Sequence, residues 1–366
     1  MSNHFENLQP APWVISLLQL GALTLVIVLG GSALLIWGQV ILAPLVSSIV
    51  IGLMFGPLAD RIEKFGVSPA VSGGAVVVAF FLILSTMLTA VILPLSGWIS
   101  RLPELWRKLQ GILADWQGMM SAVEGAREQL NKFTSQSADM VVQVEDGSPI
   151  ETVAFSAPTF FAQILIFLVS LYFFIATREQ IKTFVIGLFS VERTRRAVSH
   201  IFDDVEQFIS RYLLSITFIN IGLGLTISFA LWAAGIPAPF LWGMLAGVLN
   251  YITYIGPVIM IASLFGVGLV TFDTLNAALI PVIIYTIING IEAQFVTPTI
   301  IGRAMMLNPF LVFVTLTYWI WAWGPLGGFI AVPMLLIVNT IVQNLNETVA
   351  VPNSKSAAKN ADEIAE

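Results

Sequence analysis

Apolar residues occur along the chain in long runs that are separated by short polar or glycine- and proline-rich segments. A helix needs ~20 mostly apolar residues to cross the hydrocarbon core of a bilayer. Uninterrupted runs near that length predict membrane-crossing helices at 13–37, 39–56, 70–94, 158–176, 212–234 and 276–292. Glycine or proline stands at most junctions, as at Gly38 and Pro69, which is typical of helices that end there.

Two further apolar stretches, 240–272 and 310–342, are each interrupted in the middle by a Gly-Pro pair. The interruptions are Gly256-Pro257 and Gly324-Pro325, and each stretch follows the same Pro-Phe-Leu start. Both pairs predict a break, because glycine tolerates positive φ and proline cannot continue a helical hydrogen-bond ladder. Paired hydrophobic segments with such interruptions point to the binding site of a secondary transporter.

The length of the arms predicts how these stretches fold. An arm of about 15 residues spans ~22 Å as a helix, which falls short of the ~30 Å hydrocarbon core. We therefore predict an all-α integral membrane protein with six full transmembrane helices and two re-entrant helical hairpins, in which 212–272 and 276–342 form an inverted repeat. Two alternatives stay open. Each stretch could be one broken helix, which gives eight transmembrane helices, or two complete spans.

Composition narrows the class of protein. Of the 366 residues, 57% are hydrophobic and 10% are charged, whereas soluble domains carry roughly 25% charged residues. With no cysteine and two histidines, we expect neither a disulfide nor a metal site built from these residues. The formal charge of -6 argues against nucleic-acid binding. No phosphate-binding or nucleophile motif occurs, so we expect no enzyme activity and no cofactor.

Basic residues in the short loops predict the orientation in the membrane. Segments 57–69 and 177–211 carry lysine and arginine, whereas the turns near Gly38 and at 235–239 carry none. By the positive-inside rule, both basic segments are cytoplasmic, and so are the N- and C-termini. The long segment 96–157 then lies outside the cell, and the hairpin scheme places Arg303 inside.

The remaining segments complete the domain organisation. The start of 96–157 predicts an amphipathic helix that lies on the membrane, packs on the protein's own helices or joins subunits. Residues 178–211 predict a second, cytoplasmic surface helix, and the tail from Asn346 predicts a disordered end. The predicted units are scaffold helices at 1–95, an external segment at 96–157, a membrane helix and surface helix at 158–211, a transport domain at 212–345 and a tail at 346–366.

The two Gly-Pro tips are the predicted site for a small-molecule or ion substrate. Unwound backbone inside a bilayer must be buried in protein or line a watery cavity. Amide, hydroxyl and aromatic groups near the tips suit a small, neutral or weakly polar solute. The residues predicted to line the pathway are Asn250, Tyr254, Gly256, Pro257, Tyr285, Asn289, Glu292, Gln294, Arg303, Asn308, Gly324 and Pro325.

Glu292 is the acidic residue of greatest interest, because it follows Tyr285 and Asn289 on one polar face of the helix at 276–292. A carboxylate at the centre of a membrane helix costs ~2.5 to 3.5 kcal/mol, and such groups are usually functional. One interpretation is that Glu292 carries a proton or cation during transport. The other is structural, since Glu292 ends the apolar run and could reach water or pair with Arg303.

Several motifs along the chain carry a family resemblance. They are Pro57-Leu58 with Asp60-Arg61, the run Asn250-Tyr251-Ile252-Thr253-Tyr254-Ile255-Gly256-Pro257, the run Glu292-Ala293-Gln294-Phe295-Val296-Thr297-Pro298, and Trp323-Gly324-Pro325-Leu326-Gly327. Together they resemble the AI-2 exporter (AI-2E) family of bacterial membrane proteins, and the resemblance covers nearly the whole chain. Gly56 and Thr253 depart from the family pattern, which has asparagine and proline at these positions.

The resemblance implies a transporter of the bacterial inner membrane that assembles into homo-oligomers, with the pentamer as the expected form. It also implies that the two hairpins move against a fixed scaffold. Members of the family are linked to export of the quorum-sensing signal autoinducer-2, and others resemble sodium/proton antiporters. Family resemblance does not select between these substrates. An oligomeric pore or a structural membrane protein is the alternative of a different class.

Overall fold

The computed structural model describes the backbone of residues 12–101, 103–112, 114, 149–302 and 307–365. Side chains are described for 19–101, 103–112, 114, 158–302 and 307–344. All regular structure in these ranges is helical. The helices are α1 (Pro12–Trp37), α2 (Gln39–Glu63), α3 (Pro69–Ile99), α4 (103–112), α5 (Pro149–Gly187), α6 (Glu192–Ala233), α7 (Pro239–Leu249), α8 (Ile255–Thr271), α9 (Leu275–Ala278), α10 (Ile280–Ile291), a π-helical turn (Glu292–Val296), α11 (Thr297–Ile301) and α12 (Pro309–Ala365).

Among the described residues, 7 helical segments are long and apolar enough to cross a membrane, by length and composition. This confirms the prediction of an all-α integral membrane protein. The helices α7 and α8 are also apolar but shorter, and they correspond to the two arms of the first interrupted stretch.

Two predicted segments differ in the structure. Residues 178–211 are not a separate surface helix, since they form the end of α5 and the start of α6, which turn into each other at 188–191. The reason is that Ile209 is buried against α2 and continues the apolar face of α6. The tail predicted to be disordered is helical as far as Ala365. Its alanine, lysine and glutamate residues are also good helix formers.

A cluster of charged side chains marks one side of the bundle. Arg178 of α5 forms ion pairs with Asp60 and, at 3.5 Å, with Glu63, both in the last turn of α2. It also donates a hydrogen bond of 2.9 Å to the carbonyl of Gly56. Ser72 at the start of α3 donates to the same Glu63 at 2.7 Å. These bonds join α2, α3 and α5 on what we call the Arg178 side.

The opposite side is defined by the turn between α1 and α2. Helix α6 runs antiparallel to α2, because Ser210 donates to the carbonyl of Met54 at 3.1 Å while Leu213 packs on Val50. Helix α6 therefore ends on the same side as the turn at Gly38. We call this the Gly38 side.

Helix α7 packs back on α6 with almost no side-chain layer between them. A Cβ on Gly247 would lie 2.7 Å from the carbonyl oxygen of Asn220, and one on Gly243 would overlap the carbonyl of Gly224 and the hydroxyl of Ser228. Small residues allow helix backbones to approach this closely. The spacing Gly243-x-x-x-Gly247 thus places both glycines on the face of α7 that packs on α6.

The first interrupted stretch folds into a helical hairpin of α7 and α8, which we call the first hairpin. Its turn is formed by residues 250–254, and Tyr254 has φ +66°, a conformation that costs strain in a residue with a side chain. Gly256 follows in the first turn of α8, where a Cβ would overlap the carbonyl of Leu249. The chain thus reverses just before Gly256-Pro257, and not at that pair as predicted.

The second interrupted stretch also turns back on itself. Gly324 has φ +61° and ψ −141° in the middle of α12, and a Cβ on Gly327 would overlap the carbonyl of Trp319. Leu307, which precedes the first arm, packs in the same cluster as Leu336 of the second arm. An unbroken helix would hold these two residues roughly 40 Å apart, at 1.5 Å per residue. The arms 309–323 and 325–344 form the second hairpin.

The two hairpins approach each other from opposite sides of the bundle. The first begins at the α6–α7 turn on the Gly38 side and reaches the level of Asn220. The second begins beside Met54 and Leu213, closer to the Arg178 side, and its tip lies against Ala43 near the start of α2.

Candidate functional site

Polar side chains gather where the tip of the first hairpin meets α6 and α10. Asn250 donates from Nδ2 to Oδ1 of Asn220 at 2.9 Å and to Oε2 of Glu292 at 3.5 Å, and its Oδ1 accepts from Asn289 at 3.2 Å. Thr297 donates to the other carboxylate oxygen of Glu292. We call Asn220, Asn250, Asn289, Glu292 and Thr297 the tip cluster.

Glu292 begins the π-helical turn, and this turn places it in the tip cluster. The backbone N–H of Thr297 donates to the carbonyl of Glu292, a bond that spans five residues where an α-helix spans four. The wider turn brings the Thr297 hydroxyl back to the Glu292 carboxylate. Single π-helical turns are rare and occur frequently at functional sites.

The Glu292 carboxylate is buried without a counter-charge in the described part of the chain. The residue is 8% exposed, and none of the ion pairs between described side chains involves it. Its hydrogen-bond donors are the neutral amide of Asn250 and the hydroxyl of Thr297. An ionised carboxylate that is buried without a counter-charge is costly, so Glu292 is the candidate residue for binding a coupling ion.

The oxygen atoms of the cluster also have the chemistry of a monovalent cation site. Carboxylate, amide and hydroxyl oxygens are the ligands of hard cations. No group of three histidine, cysteine or acidic residues occurs among the described residues, so a site built from several carboxylates is not present there.

The tips of the two hairpins touch beside the cluster. The rings of Tyr251 and Phe329 lie 5.4 Å apart, and a Cβ on Gly328 would lie 2.9 Å from the Ile252 side chain. The hydroxyl of Tyr251 donates to Thr217 of α6 at 2.8 Å. The contact between the tips is thus apolar on one side and bordered by hydroxyl groups on the other.

The second tip is held by aromatic residues and not by the tip cluster. The indole N–H of Trp323 donates to the carbonyl of Leu35 at 2.8 Å, and Trp323 stacks edge-on with Trp319 at 4.7 Å. The hydroxyls of Tyr318 and Ser32 lie 3.0 Å apart. Trp323 therefore fixes the second tip to the end of α1.

The structure brings together only some of the predicted site residues. Asn250, Asn289 and Glu292 lie in the tip cluster, and the buried Tyr285 packs in the core below it. The backbone positions Tyr254, Gly256, Pro257, Gly324 and Pro325 shape the two turns.

The other predicted residues do not join them. Gln294 is exposed on the outer face of the π-helical turn. Asn308 accepts from the backbone N–H of Phe310 at 2.9 Å and so caps the start of α12. Arg303 lies outside the described residues, and with it the predicted pair between Arg303 and Glu292.

Sequence reasoning missed the contributions of α6 and of the π-helical turn. Asn220 and Thr217 are polar residues in an apolar helix, and Asn220 is 3% exposed. A signal was present, since Thr217, Asn220 and Gly224 share one helix face at spacings of three and four residues. Thr297 could not be placed from an α-helical pattern, because the extra residue of the π-helical turn changes its direction.

A match to a known protein family identifies the class of this membrane protein. The sequence model of the AI-2E family transporters matches residues 23–347 of the chain. The chain belongs to this family. The match includes both hairpins and the tip cluster, so the polar groups at Glu292 lie in an AI-2E family transporter. The family consists of transporters and not of enzymes, and the resemblance seen in the motifs is confirmed.

The similarity to three curated relatives extends over most of this chain and most of each relative. The AI-2 transport protein TqsA of Escherichia coli (strain K12) is 25% identical over 89% of this chain and 94% of that protein. The putative permease PerM of the same strain is 22% identical over 87% and 91%. The putative transport protein YhhT of that strain is 21% identical over 80% and 82%. Of these three relatives, TqsA is the one whose name states a substrate.

Proposed function

We propose that this protein is a secondary transporter that exports a small organic solute, such as autoinducer-2, across the bacterial inner membrane. Transport is coupled to protons or another ion and proceeds by alternating access at the two hairpin tips, in an elevator-like or related motion. The observation that carries the proposal is the contact between the tips of two opposed hairpins, beside the buried Glu292 and its neutral hydrogen-bond donors Asn250 and Thr297. The similarity to TqsA supports the substrate class.

The proposal includes an orientation. Both hairpins are re-entrant, the first from outside the cell and the second from the cytoplasm, and both termini are cytoplasmic. Basic residues at the α2–α3 turn and in the first turns of α6, such as Lys64 and Arg195, lie on the Arg178 side, which supports a cytoplasmic Arg178 side. Single cysteines at Gly38 and Phe65, on this cysteine-free background, report sidedness by labelling with an impermeant thiol reagent. Labelling of Phe65→Cys from outside would contradict the orientation.

Glu292 is proposed to be the group that takes up the coupling ion. The variant Glu292→Gln keeps the shape but cannot ionise, and its amide can accept from Asn250 while it donates to the Thr297 hydroxyl. We therefore expect pH-gradient-driven transport to fall by about tenfold or more. The measurement is uptake of labelled solute into proteoliposomes with and without a pH gradient. Glu179→Gln, which changes an exposed acid of α5, is the matched control and should keep wild-type rates.

The substrate is tested by counterflow in proteoliposomes against a panel of autoinducer-2, indole-like solutes and Na⁺. Saturable counterflow of an organic solute supports the proposal. Flux that rises linearly with concentration and shows no counterflow would instead support an oligomeric pore.

Monovalent cation/proton antiport is the second candidate. The oxygen ligands of the tip cluster, with Glu292 as the only carboxylate among them, favour it. Na⁺-driven proton movement in vesicles without any organic solute, abolished in Glu292→Gln, would select this function over solute export.

We also propose that the protein acts as a homo-oligomer, with the pentamer as the expected form. Helix α1 is the candidate subunit contact, because its described part makes few contacts within the chain and exposes apolar residues such as Leu34 and Trp37 around most of its surface. Native mass spectrometry in detergent measures the number of subunits, and a monomer at all protein concentrations would contradict the proposal.

A further inference from the structure

The end of α3 and helix α4 lie across the base of the first hairpin. The ammonium group of Lys108 donates to the carbonyl of Leu269, in the last turn of α8, at 2.8 Å. A Cβ on Gly266, one turn earlier, would lie 2.7 Å from Leu105 Cδ1. These contacts join the segment predicted to be an external amphipathic helix to the hairpin that carries Asn250.

A second contact lies at the other arm of the same hairpin. Trp98 at the end of α3 meets Trp242 of α7 edge-on, with the ring centroids 5.2 Å apart. The guanidinium of Arg101 lies 5.2 Å from the Trp98 ring centroid. Both arms of the first hairpin are thus contacted on the Gly38 side by one continuous piece of chain.

The two surfaces of the first hairpin differ in kind. On α6, glycine backbones touch carbonyl groups, so any sliding of α7 along α6 produces backbone overlap. On α3 and α4, the contact is made by side chains, namely Leu105, Lys108 and the facing rings of Trp98 and Trp242, with Val91 packed on the same core. Side-chain tips can separate and meet again without a change in either helix. Any motion of the first hairpin would therefore carry α6 with it and separate the hairpin from α4.

We propose that α4 is a reversible latch on the base of the first hairpin, closed in this structure, that must open in each transport cycle. The inference rests on the proposed alternating access, because a hairpin that never moves needs no release. Lys108 is the polar part of the latch, since a cation at the C-terminal end of α8 is attracted by the helix dipole. Leu105 is the apolar part, which fills the space left by Gly266.

Cross-linking tests the latch directly on this cysteine-free chain. We expect the pair Leu105→Cys and Gly266→Cys, joined as a disulfide or by a short thiol-specific cross-linker, to lower counterflow by about tenfold or more, and reductant to restore it. The matched control joins α3 to α5 through Gly73→Cys and Ala176→Cys, where the Cβ atoms would be 3.5 Å apart. Such a spacing suits a disulfide. This control should transport normally when oxidised.

Normal counterflow in the cross-linked Leu105→Cys and Gly266→Cys protein would overturn the latch and leave the proposed function standing. A second variant tests the polar part alone. Lys108→Met keeps the apolar stem but loses the hydrogen bond, and we expect the initial counterflow rate to rise about two- to fivefold. Lys108→Arg keeps the charge and should stay near the wild-type rate. A lower rate in Lys108→Met would contradict the latch.

A readout without transport separates failure of the latch from failure of the proposed function. Spin labels at Arg107→Cys and Asp273→Cys, two exposed positions on α4 and just beyond α8, measure the distance between the two parts in lipid vesicles. A latch that opens gives two distance populations in pulsed electron spin resonance. A single narrow distance under every ion and solute condition would overturn the inference, whether or not the protein transports.

Discussion

The two hairpins resemble each other in path and differ in chemistry. The first turns through residues 250–254 with Tyr254 at positive φ, and its tip supplies Asn250 to the tip cluster. The second turns at Gly324, and its tip supplies aromatic rings that bind α1 through Trp323. The two hairpins thus share the chain reversal and not the side chains. One hairpin carries the polar groups beside Glu292, and the other closes against it with Phe329.

The way each hairpin is held explains this difference. The first is fixed by backbone contacts with α6, which leaves the side chains of its turn free to face Glu292. The second has no comparable glycine contact with another helix of the scaffold among the described residues, and its indole N–H makes the anchoring bond. The indole of Trp323 thus has a structural partner in α1.

The largest expected effect concerns the turn of the first hairpin. In Gly256→Ala the new methyl group overlaps the backbone carbonyl of Leu249, which cannot move without opening the hairpin. We expect a loss of about 3 kcal/mol or more in the free energy of unfolding, at the upper end of overpacking effects. Unfolding in mixed detergent micelles measures it. Gly290→Ala has no atom within 4 Å of the new group and is the control; equal stability of the two variants would contradict the tight turn.

Substitution of the residue at positive φ in each hairpin should change the free energy of unfolding by a smaller amount. The direction of the change should differ between the two hairpins. Gly324→Ala places a side chain at φ +61° and ψ −141°, which should cost about 1 to 3 kcal/mol. Tyr254→Gly relieves positive φ in a half-exposed residue, so its unfolding free energy should stay equal or rise. The same unfolding measurement applies to both. Loss of stability in Tyr254→Gly would show that its ring contributes more than its backbone costs.

The smallest effect concerns the anchor of the second tip. Trp323→Phe removes the N–H that binds the carbonyl of Leu35, and we expect a loss of about 0.5 to 1.5 kcal/mol. Trp321 is 64% exposed, and Trp321→Phe should change stability by less than that. If the two variants behave alike, the second tip is not held by this hydrogen bond.

Much of the fold follows from the sequence, because the pattern that predicts it is local. Apolar runs and Gly-Pro pairs located the helices and both reversals within a few residues. The exact turn of the first hairpin did not follow, because it depends on how closely Gly256 can approach Leu249, a contact between two arms. In the same way, the lengths of α5 and α6 beyond the membrane depend on packing against α2 and on ion pairs with it.

The site was predictable in part for the same reason. Asn289 and Glu292 share a helix face and could be grouped from spacing, and Asn250 could be added from its place at a tip. Asn220 lies in a helix about 70 residues earlier in the chain than Glu292. No local sequence pattern indicates that two residues so far apart meet in the fold. The amphipathic pattern of α4 predicted a buried face, but its partner, the base of the first hairpin, required the folded chain.

The π-helical turn at Glu292–Val296 sets the angle between the side chains of Glu292 and Thr297. It holds one residue more than an α-helical turn of the same ladder, and Pro298 just after it has no N–H to enforce either register. Conversion to an α-helical turn would rotate the Glu292 carboxylate relative to Thr297 by roughly one residue's angle, about 100°. Deletion of one residue between Glu292 and Thr297 should instead relax the turn to an α-helix in which the acid and its hydroxyl partner are four residues apart and still share a helix face.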